Sequence, residues 1–119
     1  MNNTEWMRQR LLAGVHEKAP SPQELRHSEW CPEFIGLMLD RMIMGAFRYG
    51  SVHDIRPTQK NYAKYLDEAL DRTIIADDDQ ILEPLVDAAN MLMVAYMVGK
   101  RRGLKLGATD DGKHIGGDN

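Results

Sequence analysis

Glu68 and Asp71 stand three residues apart, and Glu83 and Asp87 stand four apart. On helices, each spacing brings two carboxylates to one face. Two such faces opposed would surround a small, hard cation with carboxylate oxygens, the ligands magnesium takes in phosphate chemistry. The spacing therefore predicts a four-carboxylate magnesium site built on two helices.

The two pairs differ in their surroundings. Glu68 and Asp71 share their stretch with Lys64, Asp67 and Arg72, and by themselves they describe a solvated helix face equally well. Asp87 lies between Val86 and Ala88 in the most apolar segment of the chain. A carboxylate buried without a partner costs on the order of several kcal/mol. Three partners are open to it: a metal ion, a basic residue such as Arg41 or Arg48 from the preceding long helix, or the amide of Asn90.

The elements that must position these residues are helices. Trp6, Leu11, Leu12 and Val15 recur loosely at helical spacing between residues 3 and 18, and Ser21-Pro22-Gln23-Glu24 reads as a capping box opening a short turn to about Ser28. Cys31-Pro32 starts a helix that Gly50 ends. Its apolar stripe of Ile35, Met38, Leu39, Met42, Ala46 and Tyr49 is widened by Phe34, Leu37, Met44 and Phe47, an arc broad enough to be buried on two sides. Thr58 caps a helix from Gln59 to about Thr73. Asp77-Asp78-Asp79 then supplies acidic caps for a last helix, about Gln80 to Arg102, closed by Gly103. Pro84 is permissible in its first turns. That helix is apolar almost all round from Leu85 to Val98, which predicts a central position or a subunit interface.

These helices predict an all-α bundle of four to five helices, completed by oligomerisation. The expected organisation is one domain over residues 1–103, with an N-terminal helical extension at 1–30 and a core at 32–103. The Gly- and Asp-containing segment 104–119 reads as a disordered tail. With 119 residues, 28% charged and 43% hydrophobic, the chain has room for one core. A net charge of -3 argues against a nucleic-acid binder. The lone Cys31 and the polar N-terminus point to the cytoplasm, and the run Met91 to Gly99 is about half as long as a membrane span requires. His16, His27, His53 and His114 lack zinc-ligand spacing.

The order Asp67-Glu68-Ala69-Leu70-Asp71, then Glu83-Pro84-Leu85-Val86-Asp87-Ala88-Ala89-Asn90-Met91, resembles the all-α nucleoside triphosphate pyrophosphohydrolases, the MazG-like superfamily that includes the dimeric dUTPases. The Asp-Ala-Ala-Asn run is similar to the Asp-Val-Ala-Asn segment of compact, often phage-encoded members. The likeness spans about residues 34–102. Asp71 stands where a Glu is usual, and Pro84 where the family often carries the second glutamate.

The resemblance implies a homo-oligomer, dimer or tetramer, that hydrolyses a nucleoside triphosphate to the monophosphate and pyrophosphate with Mg2+. Glu68, Asp71, Glu83 and Asp87 would hold the metal, and Glu68 would also position or deprotonate the attacking water. Asn90 would orient Asp87 or read the sugar or base. Arg48, Lys60, Lys64 and Lys100 are candidate phosphate contacts. The alternative is a non-catalytic helical interaction or nucleotide-binding protein on the same bundle.

Overall fold

The structure, a computed structural model, describes residues 4–6, 8–9, 23–24 and 28–107. The chain divides into two units, one formed by Cys31–Leu104 and the other by Met1–Trp30 with Lys105–Asn119. In the latter, residues 4–6, 8–9, 23–24 and 28 are helical. The rest of the expected N-terminal helix, Ser21 and Pro22 of the expected capping box, and the tail from residue 108 lie outside the described residues.

The unit Cys31–Leu104 consists of α1 (Pro32–Tyr49), a 3-10 turn (Val52–Asp54), α2 (Gln59–Asp79) and α3 (Glu83–Arg101). Among the described residues there is no strand, and the fold is all-α. Local chemistry sets most of the helix ends. Pro32 occupies the first turn of α1, and Cys31 Sγ accepts the Phe34 N–H at 3.4 Å. Gly50, at φ +89°, ends α1 by donating its N–H to the Ala46 carbonyl. Thr58 Oγ1 accepts the Asn61 N–H at 3.1 Å to open α2.

α2 runs past the expected end at Thr73 to Asp79. Ile74, Ile75 and Ala76 extend its apolar pattern, and Ala76 is buried. Asp77, Asp78 and Asp79 thus form the last turn of α2 instead of capping the next helix, and they sit at the unfavourable negative end of its dipole. The chain leaves α2 through Gln80 in the left-handed conformation, φ 54° and ψ 47°, and the Ile81 N–H closes the turn on the Ala76 carbonyl. Consequently α3 starts at Glu83, three residues later than expected, with Pro84 in its first turn. Its C-terminus is a Schellman motif: Gly103, at φ +90°, donates to the Lys100 carbonyl and Leu104 donates to the Gly99 carbonyl, each at 3.0 Å.

α3 forms the core, burying Pro84, Val86, Ala88, Asn90, Val94, Ala95, Val98 and Gly99. Val94 and Val98 are each 1% exposed, and burying such side chains contributes about 1.5–3 kcal/mol apiece. α2 contributes the small buried residues Ala69 and Ala76, which allow the two helix backbones to run close together. Packing is tight at Gly99, where an added Cβ would lie 3.2 Å from Tyr62 Cε2 on α2 and 3.3 Å from Leu104 Cδ1. α1 packs on α3 but has no buried residue of its own. Leu39, Ile43 and Phe47 on α1 are exposed, so the two-sided burial expected of this helix is not met within the Cys31–Leu104 unit. None of the described helices is long and apolar enough to cross a membrane.

Candidate functional site

α1, α2 and α3 enclose a cleft of about 620 Å³. Each helix presents its polar residues to it at helical spacing. From α1 come Arg41 and Arg48, seven residues apart and so on one face; from α2 come Lys64, Glu68 and Arg72, each four apart; from α3 come Asp87 and Asn90, three apart. Tyr49 and Tyr65 add aromatic surface. The loop after α1 closes one side with Val52 and Ile55, and α3 anchors that loop through Arg101 Nη1, which donates to the Ile55 carbonyl at 2.5 Å.

The partner of Asp87 is Arg41. Nε donates to Oδ1 at 2.5 Å and Nη2 donates to Oδ2 at 3.1 Å, a two-point grip from α1 onto α3. Arg41 Nη1 also comes within 4.0 Å of Glu83 Oε2, one helical turn before Asp87. The Arg41 guanidinium is held above its ordinary pKa by the hydrogen bond to Asp87. Partial burial opposes that shift, and the nearby charges of Asp87 and Glu83 add to it.

Asn90 is 2% exposed. Its Nδ2 donates to the Met38 carbonyl of α1 at 3.0 Å, while its Oδ1 is buried and has no hydrogen-bond partner. Asn90 therefore joins α3 to α1, and Asp87 is oriented by Arg41.

Of the residues expected to act, Glu68, Asp87, Asn90, Arg48 and Lys64 line the cleft. Asp71, Glu83, Lys60 and Lys100 are not among its lining residues, and all four are exposed. Glu83 takes part only through its approach to Arg41, with its side chain 82% exposed. Among the described residues, no three acids, histidines or cysteines stand close enough together to hold a metal ion. The donor chemistry suits magnesium. The arrangement does not form its site, because Asp87 already faces a cation and Asp71 lies off the cleft.

Arg72, absent from the expected site, also borders the cleft; its position four residues after Glu68, mirroring Lys64 four before, is the signal in the sequence that marks it. Once Arg41 is set against Asp87, the charged residues left among the cleft lining are the cations Arg48, Lys64 and Arg72 and one carboxylate, Glu68. A chain of net charge -3 thus carries a locally cationic cleft, suited to an anion with several negative groups. No family model, curated protein or solved structure matches this chain. Its class is accordingly defined by its own geometry, an all-α unit with a cationic cleft between three helices.

Proposed function

We propose that this chain binds a nucleoside triphosphate in the cleft and hydrolyses it to the monophosphate and pyrophosphate. One observation carries the reading. Glu68, Asp87, Asn90, Arg48 and Lys64, which stand at separate places in the sequence, all border one cleft with an excess of positive charge. The resemblance to the MazG-like pyrophosphohydrolases supports it in the same direction.

In this proposal Arg48, Lys64 and Arg72 offset the charge on the phosphate oxygens. A water adds to the α-phosphorus, Glu68 takes its proton, the α–β phosphoanhydride bond breaks and pyrophosphate leaves. Magnesium enters the proposal through donor chemistry alone: Glu68, Asp71, Glu83 and Asp87 are the carboxylates the resemblance assigns to it, and no three of them converge on one point here. A homo-oligomer also belongs to the proposal, supported by the exposed apolar side chains of α1. A cytoplasmic setting is supported by the free, exposed thiol of Cys31.

The test is pyrophosphate release from a panel of ribo- and deoxyribonucleoside triphosphates with magnesium. The expected result is turnover of at least one nucleotide, abolished by Asp87→Ala. A complete panel without turnover would sink the hydrolytic reading. The second reading, nucleotide binding without hydrolysis, is favoured by the Arg41 grip on Asp87, which leaves that carboxylate already neutralised. Its signature is a melting temperature raised by nucleotide with no pyrophosphate formed.

A further inference from the structure

We infer that the Arg41 guanidinium stands where the carboxylate spacing puts a metal ion, so that the cleft takes its polyanionic ligand with no divalent metal held by the protein. The inference rests on the proposed reading of the cleft as a nucleotide site and names the cation that serves it.

Glu83 and Asp87 are one helical turn apart on α3, the arrangement that offers two carboxylates to one cation. Arg41 reaches both. Its Nε and Nη2 donate to the two oxygens of Asp87 at 2.5 and 3.1 Å, and its Nη1 lies 4.0 Å from Glu83 Oε2. A magnesium ion at Asp87 would have to break this two-point, charge-assisted contact and then lie beside the displaced guanidinium. It would also need further oxygens in octahedral order at about 2.1 Å. The described residues bring no group of three acids, histidines or cysteines together, the Glu83 side chain is 82% exposed, and Asp71 is outside the cleft lining.

Arg41 itself borders the cleft, beside Arg48, Lys64 and Arg72, and the carboxylates of the lining are Glu68 and Asp87. Cations therefore outnumber acids there without any ion from solution. Without Arg41, Asp87 would be a bare carboxylate on the wall that receives the phosphates, and like charges across a contact repel. A guanidinium removes that repulsion as a metal ion would, and it is charged throughout the working range of pH without having to be loaded. Magnesium supplied with a nucleotide then belongs to the ligand as its counter-ion.

The experiment measures binding of inorganic triphosphate to the full chain by calorimetry, at one ionic strength, in EDTA and in excess magnesium. The original protein is expected to bind at least as tightly in EDTA, because the free polyanion carries more charge than its magnesium complex. Arg41→Gln is expected to weaken binding in EDTA about tenfold or more. Arg41→Lys, which keeps the charge and gives up the two-point grip, should stay within about threefold of the original protein. Manganese alone, followed by electron paramagnetic resonance, should show no site on the original protein that Asp87→Asn removes.

Triphosphate binding that requires magnesium would overturn the inference and leave the nucleotide reading standing, and this comparison needs no variant that has to fold. Manganese bound by the original protein and released by Asp87→Asn would overturn it in the same way. Equal losses in Arg41→Gln and Arg41→Lys would make Arg41 a structural tie between helices and overturn it too. No binding of triphosphate or of any nucleotide, with or without magnesium, would remove the nucleotide reading and this inference together.

Discussion

Arg41 of α1 holds both carboxylate oxygens of Asp87 on α3, forty-six residues further along the chain. The same guanidinium lies 4.0 Å from Glu83, so two of the expected metal ligands turn toward one organic cation. These two contacts of Arg41 and the bond from Asn90 to the Met38 carbonyl are polar ties between α3 and a helix with no buried residues.

A double-mutant cycle on Arg41→Ala and Asp87→Ala, read by urea unfolding, should give a coupling of about 1 kcal/mol. The Arg41 side chain is 38% exposed and that of Asp87 27%, which keeps the value well below that of a fully buried pair. A group whose pKa is raised on folding contributes stability below its unfolded pKa and loses it only as pH rises through the folded value. For Arg41 both lie far above neutrality, so its contribution should stay flat from about pH 6 to about pH 10. A loss of coupling within that window would contradict the assignment.

If the cleft hydrolyses a nucleoside triphosphate as proposed, Glu68→Gln should lower kcat for pyrophosphate release by about 10²- to 10⁴-fold, with KM changed far less. Glu68 is only partly buried, so the melting temperature should shift little. An unchanged kcat would remove Glu68 as the proton acceptor.

Gly99→Ala should destabilise the chain by about 1–2 kcal/mol, although alanine is the better helix former by about 1 kcal/mol. The new methyl would meet the Tyr62 ring at 3.2 Å and Leu104 at 3.3 Å. The Tyr62 ring also has the Arg102 guanidinium 5.5 Å from its centroid, which leaves it less room to give. A rise in the urea midpoint would show that the α2–α3 contact relaxes freely.

Gln80→Gly should stabilise by up to about 1 kcal/mol. Gln80 is the one non-glycine residue with positive φ among the described residues. Part of the gain is offset by losing its Nε2 bond to the Asp77 carbonyl. A lower melting temperature would mean that this side-chain bond outweighs the backbone strain.

If α1 joins copies of the chain, Leu39→Glu with Ile43→Glu should convert the oligomer to monomer in sedimentation equilibrium. Both side chains are exposed, 60% and 49% respectively, so the fold of one chain should survive the change. An original protein that sediments as a monomer would rule out this role for α1.

What the sequence determined by itself is local. Cys31-Pro32, Thr58 and Gly103 mark helix ends because capping needs only the few residues around the cap. The apolar run from Leu85 to Val98 predicts a central helix, and α3 supplies most of the core while Leu85, Leu92 and Tyr96 stay exposed. Lys64, Glu68 and Arg72 share a face through spacing alone. The Asp77-Asp78-Asp79 run misleads because acidic residues favour the start of a helix, whereas the apolar Ile74, Ile75 and Ala76 carry α2 through it. Only the tertiary structure decided that Asp87 meets Arg41, that Asn90 turns its amide to Met38, and that Asp71 falls outside the cleft. Those outcomes depend on how three helices cross, and helix crossing is fixed by side-chain packing between residues distant in the chain.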